Sequence, residues 1–128
     1  MASVCQAVMA EVKDTVGRLA ELTEAVRNAG LNIRAICAWV NGSTGKMLLV
    51  TDDAGKACKA VSPLVDACSF DECVCVELPN EPGALGKVAR KLADAGISIR
   101  IVYATAGNVP KAAVVLHTSD NARAAALL

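Results

Sequence analysis

Aromatic side chains are almost absent: one Trp, one Tyr and one Phe are all that 128 residues contain. A sheet that binds RNA by stacking presents several rings on its open face, so Trp39, Tyr103 and Phe70 are too few for that role. Charge of one sign is absent as well, since 13 Lys and Arg stand against 13 Asp and Glu. Without a basic field the chain has no sequence-independent hold on phosphates, which excludes general nucleic-acid binding and polybasic membrane attachment. An intense binder of acidic partners is excluded with them. No stretch approaches the ~18–20 uninterrupted apolar residues of a membrane span. Met1-Ala2-Ser3-Val4 also lacks the basic and then apolar order of a secretory signal. The expectation is a soluble, cytoplasmic protein with neither nucleic acid nor membrane as partner.

Histidine occurs once, as His117 at the end of a strand-like run. A nucleophile with its base, an acid/base pair or an open metal site needs more, and His117 reads as a solvated or hydrogen-bonded edge residue. Gly42-Ser43-Thr44-Gly45-Lys46 resembles a phosphate loop, but Val40 stands where the first glycine belongs and Met47 where a magnesium-binding hydroxyl belongs. A hairpin turn explains it better. Asp52-Asp53 suits helix capping rather than a metal. No catalytic residue and no cofactor is expected. The six cysteines are expected to be reduced and partly buried, as is usual for a cytosolic chain with enough core. Cys68, Cys73 and Cys75 nevertheless cluster, and a Cys-x-Cys on one strand puts two thiols on one face, so soft-metal binding stays open as an alternative.

What the chain has in abundance is apolar content, at 54%. A chain of this length removes roughly 65–70% of its surface from water on folding, enough for a core without staples. It also carries an internal repeat at constant spacing. Gly17 matches Gly83, Leu19 matches Leu85, Ala29 and Gly30 match Ala95 and Gly96, and Ile33 and Arg34 match Ile99 and Arg100. Two copies are expected, residues 1–66 and 67–128, with the boundary near Ser62-Pro63, where proline halts a helix.

Each copy changes hydrophobic period in the same order. Val4 to Val12 and Glu72 to Leu78 read as strands, with Val74, Val76 and Leu78 on one face and Cys73, Cys75 and Glu77 on the other. Leu19, Leu22, Val26 and Ala29, and likewise Leu85, Val88, Leu92 and Ala95, form the apolar stripe of a helix. Gly30 and Gly96 end those helices in a left-handed conformation. Alternation from Leu31 and from Ile97 gives second strands, and turns at Asn41 to Gly45 and Ala106 to Pro110 lead into third strands, Met47 to Val50 and Ala113 to Leu116. Asp52 or Asp53, and Ser119 or Asp120, suit the N-cap of a second helix. A fourth strand around Ala67 to Phe70 completes the first copy. The second stops at Leu128 without one, so either its sheet edge is covered by another chain or the module is naturally shortened, since a bare edge would invite pairing. The plan is the split βαβ unit, an α+β fold.

Leu78-Pro79-Asn80-Glu81-Pro82-Gly83-Ala84-Leu85, followed by Ala95-Gly96-Ile97-Ser98-Ile99, resembles the ACT domain, a small ligand-binding module that regulates amino-acid metabolism. Val12-Lys13-Asp14-Thr15-Val16-Gly17-Arg18-Leu19 and Ala29-Gly30-Leu31-Asn32-Ile33 repeat it more loosely. The resemblance implies two ferredoxin-like βαββαβ ACT modules in tandem, with antiparallel sheets and helices packed on one face. It also implies a non-catalytic regulatory protein that binds a small amino acid or related metabolite and signals through assembly. A purely structural dimerisation module is the alternative.

The residue chemistry of that site is explicit. Glycine at a helix mouth lets a ligand approach the backbone, and the first-turn amides attract a carboxylate. The candidate ligand-binding residues are Asp14, Val16, Gly17, Arg18 and Asn32 in the first copy and Asn80, Glu81, Gly83, Ala84 and Ser98 in the second. Asp14 suits an ammonium group, and Asn32 and Ser98 are expected beside the same loop. Val16, Leu19, Leu85 and Ala84 supply an apolar rim. Ile36, Ala38, Val102 and Ala104 with Cys73 and Cys75 make the face opposite the helices apolar, so a homodimer is expected, and a metabolic enzyme is the further candidate partner. Arg34 and Arg100 either frame that interface or, as the preferred reading, pair with Glu11 and Glu77 across strands.

Overall fold

The computed structural model describes residues 2–128. Their elements follow in the order β1 (Ala2–Lys13), α1 (Arg18–Asn28), β2 (Ile33–Asn41), β3 (Thr44–Thr51), α2 (Ala54–Val61), β4 (Ala67–Pro79), α3 (Ala84–Asp94), β5 (Ile99–Thr105), β6 (Lys111–Thr118) and α4 (Asn121–Leu127). The fold is α+β with antiparallel strand pairing throughout the two registered sets. Two compact units divide the chain, one of residues 6–71 and one of residues 2–5 with 72–128.

In the unit of residues 6–71 the strands run in the order β2-β3-β1, with the opening residues of β4 beyond β1. The hydrogen bond from Asp66 N to Glu11 O, 2.8 Å, brings the chain to that position. One face of these strands packs on α1 and α2 through Val8, Ala10, Leu22, Val26, Met47, Leu49, Ala57 and Val61. Leu48 and Val50 point to the other face and are buried as well.

The second unit repeats the plan as β5-β6-β4. Its core joins Val74, Val76, Val88, Leu92, Ile97, Val114, Leu116 and Ala124. No strand follows α4 among the described residues, and the place beyond β4 is taken instead by Ala2–Cys5 of β1, which belong to this unit. Cys73 Sγ lies 3.6 Å from Cys5 O as a hydrogen-bond donor, and Ala2 packs against the core. The edge left open in the sequence reading is therefore filled by the start of the same chain. The separate fourth strand expected at Ala67 to Phe70 also proves to be continuous with the next, because neither glycine nor proline breaks the run before Pro79. Each long strand thus gives one end to each unit.

The duplication persists in detail. Gly17 and Gly83 cap α1 and α3 with φ of 87° and 85°, and Gly30 and Gly96 follow those helices at 77° and 73°. Register shifts fall between Ile33 and Ala35 and between Ile99 and Ile101, so Arg34 and Arg100 sit at equivalent bulges. A bulge re-aims its side chain, and this corrects the pairing expected for Arg34. Its Nε lies 2.9 Å from Asp52 Oδ1, while Glu11 pairs with Lys46 and Glu77 with Lys111. Asp52 Oδ2 also accepts from Asn32 N at 3.2 Å, as Ser119 Oγ accepts from Ser98 N at 3.0 Å.

Of the alternative caps, Asp53 and Asp120 serve α2 and α4, each accepting from the amide three residues on at 3.0 Å. Asp53→Ala is expected to cost about 1 kcal/mol, read as a lowered urea midpoint at unchanged slope. A midpoint equal to that of the parent protein would mean that the cap carries no stability.

Three expectations are corrected by packing. Leu19 and Leu85, placed on the buried stripe, are 52% and 41% exposed, whereas Leu22, Val26, Val88 and Leu92 farther along the same stripes are buried. His117, expected as a solvated or hydrogen-bonded edge residue, is hydrogen-bonded but neither solvated nor at a sheet edge. It lies on β6, between β5 and β4, at 3% exposure, with its Nε2 3.1 Å from the Tyr103 hydroxyl. Cys58 and Cys68, expected as thiols, form a disulfide that ties α2 to the start of β4. Both face the core around Val61, Leu64 and Val65. Their Cα atoms are 6.3 Å apart, inside the reach of such a bond.

Candidate functional site

The mouth of α1 is built by three local choices. β1 ends at Lys13, and Asp14 N donates to Ser43 O at 2.9 Å, which ties the exit of β1 to the β2–β3 turn. Thr15 O accepts from Arg18 N at 3.1 Å, and Gly17 takes the left-handed conformation that starts the helix. An added Cβ at Gly17 would meet nothing within 4 Å, so its backbone angle is what calls for glycine there. The amides of Leu19 and Ala20 then have no partner inside the helix.

Beside this mouth lies a cavity of about 210 Å³. Val12, Leu22 and Met47 come from the helix-facing core, and Ala38, Trp39 and Val40 from the end of β2. Lys13, Asp14, Thr15, Arg18 and Lys46 bring its polar groups, and Leu19, like Trp39 and Val40, is an exposed apolar residue. Arg18 Nη1 is 3.2 Å from Glu21 Oε2, whereas Arg18 Nε is buried with no hydrogen-bond partner. An orphaned buried donor normally costs about 1–3 kcal/mol, so this one stands out chemically. Lys46 pairs with Glu11 at 3.8 Å.

The second unit has a cavity of about 270 Å³ between β4 and α3. Val76, Leu78, Pro79, Ala84 and Val88 form its apolar lining, and Glu77, Glu81, Lys87 and Lys91 its charged one. Asn80 is spent elsewhere, its Nδ2 donating at 2.9 Å to both Gly107 O and Val109 O and so holding the β5–β6 connection in place.

The candidate residues thus divide. Asp14 and Arg18 meet at the first cavity, and Glu81 and Ala84 at the second. Val16 is fully exposed and lines neither. Gly17 and Gly83 set the helix starts without lining a cavity. Asn32 and Ser98 line neither cavity. Within its unit Asn32 follows the far end of α1. A helix rises about 1.5 Å per residue, so a helix of this length carries the chain roughly 16 Å from its mouth. The second strand runs back toward the mouth, so its end and not its beginning, Ala38 to Val40, adjoins the loop. Trp39 was missed for that reason, its one signal being that it is the sole tryptophan, and Lys13 on β1 and Lys46 on β3 were missed as well. Among the described residues no three His, Cys, Asp or Glu side chains are grouped to hold a metal, and Cys68 is engaged in the disulfide. No described helix is long and apolar enough to cross a membrane.

No protein-family model matches the chain, and no curated protein matches it at the sequence level. Among solved structures it is similar to protein BT0572 from Bacteroides thetaiotaomicron, with 30% identity and a TM-score of 0.88 over 99% of this chain and 88% of that one. The regulatory subunit of aspartate kinase from Thermus thermophilus gives 17% identity and 0.69 over 98% and 93%. That from Thermus flavus gives 17% and 0.67 over 99% and 90%. The chain therefore has the fold of the aspartate kinase regulatory subunits and, at 30% identity across nearly its whole length, belongs to one family with BT0572.

Proposed function

We propose that this protein is a non-catalytic regulator of the ACT type, each repeat half, residues 1–66 and 67–128, being one module. It binds a small amino acid or related metabolite at the mouth of α1 and passes the signal through its assembly in the cytoplasm. The observation that carries this reading is the first cavity, where Asp14 and Arg18, of opposite charge, line one apolar recess of about 210 Å³. A zwitterion with a carbon side chain needs that combination. The fold shared with aspartate kinase regulatory subunits supports a regulatory role.

A homodimer is the expected assembly. Ile36 and Val40 on β2 and Val102 on β5, at the outer strand of each unit, are exposed apolar residues suited to a second copy. A ligand shifts such an assembly only by binding its two states unequally, and a metabolic enzyme is the natural recipient of the signal.

A thermal-shift screen of the purified protein against the twenty amino acids and common 2-oxo acids tests the reading. A ligand at ~100 times its dissociation constant adds about 2.7 kcal/mol, which raises the melting temperature by several degrees. Gly17→Asp combined with Gly83→Asp should abolish the response and leave the dimer intact. Uniform silence with an intact dimer would favour a structural dimerisation module instead.

A further inference from the structure

Three positions that carry a charge in the first unit have uncharged repeat equivalents in the second. Lys13, Asp14, Arg18 and Trp39 of the first unit correspond, at the spacing that matches Gly17 to Gly83, to Pro79, Asn80, Ala84 and Thr105 of the second. The first four all line one cavity, whereas Thr105 and Asn80 line neither of the two cavities described and the Asn80 amide is committed to Gly107 and Val109. We infer that the chain holds one working ligand site, in the first unit, and that it selects α-amino acids with an uncharged apolar side chain, the carboxylate being held by Arg18. This deepens the ligand-binding reading above and rests on it.

Arg18 Nε is the only buried side-chain nitrogen or oxygen among the described residues that lacks a hydrogen-bond partner, and its guanidinium is otherwise held by one contact to Glu21, whose side chain is half exposed. A surface pair of that kind is weak, so the guanidinium is free to turn toward the recess and give Nε a carboxylate oxygen to bond. Asp14 offers the opposite charge to the ammonium group. The rest of the wall at Leu19, Leu22, Ala38 and Val40 is apolar, and of the two lysines that also line the cavity Lys46 is already paired with Glu11, so a charged side chain placed there loses its hydration for little in return.

Trp39 is the only tryptophan, so indole emission, excited where Tyr103 does not absorb, reports from the border of this cavity. L-leucine, L-phenylalanine, L-aspartate and L-lysine, titrated separately, are the probes, with calorimetry for stoichiometry. The expected result is that leucine or phenylalanine changes the emission and binds once per chain, and that aspartate and lysine do not. Arg18→Met should weaken binding about tenfold or more, the value of one charge-assisted hydrogen bond, with Arg18→Lys recovering part of it. Two sites per chain, or unchanged affinity in folded Arg18→Met, would overturn the assignment to the first unit. Preferred binding of aspartate or lysine would overturn the apolar class while leaving the sensor reading intact, and no binding by any amino acid would remove both.

Discussion

Leu92→Ala is expected to destabilise the protein by roughly 2–5 kcal/mol, the cost of deleting a fully buried isobutyl group and leaving a partly collapsed cavity. Leu92 is 0% exposed in the core formed with Val74, Val88 and Leu116. Its repeat equivalent, Val26, is 1% exposed in the other core, and Val26→Ala should cost less because fewer methyl groups are lost. Leu85, on the same helix as Leu92, is 41% exposed. Leu85→Ala should therefore change stability by no more than about 0.5 kcal/mol. Urea unfolding of the three variants decides the matter. Comparable losses for Leu85 and Leu92 would mean that the whole helical stripe is buried, contrary to the packing described.

Deleting Ala2–Cys5 is expected to damage the other end of the chain. These residues supply the strand beyond β4 in the unit of residues 72–128, where Cys73 donates to Cys5 O. Without them β4 presents a bare edge beside its most buried segment, Cys73 and Val74, and a bare apolar edge pairs with whatever strand it meets. Four lost cross-strand positions at up to about 1 kcal/mol each place the stability loss on the order of 2 kcal/mol. The measurements are the melting temperature, light scattering on a sizing column, and amide exchange of residues 72–76. The truncated protein should melt lower, form larger species and exchange faster at β4. A truncation as stable and as well protected as the full chain would show that the N-terminal segment adds nothing to that unit.

Most of the fold was legible because its signals are local and doubled. The helical spacing of Leu22 and Val26 and of Val88 and Leu92 marked two helices, and the structure buries all four. Gly30 and Gly96 were expected at left-handed helix ends and have positive φ. The aspartates before α2 and α4 were expected as caps, with only the choice between neighbours open. Less of the site was legible. Asp14 and Arg18 were named with Gly17 from the loop they share, and both line the cavity. Asn32 was placed beside them in error, because the order of elements along the chain does not say which end of a returning strand adjoins the loop.

The sequence by itself determined the repeat, the alternation of strand and helix, and the turn and cap residues. These depend on side-chain period and on φ preferences that act within a few residues. Tertiary structure alone decided that Ala2–Cys5 complete the second unit, that Cys58 meets Cys68, that Arg34 turns to Asp52, and that Trp39 joins Arg18 at one cavity. Each of these contacts joins residues well separated along the chain, and the partner of such a residue is set by strand register and by which faces must be buried together, not by the residues on either side of it.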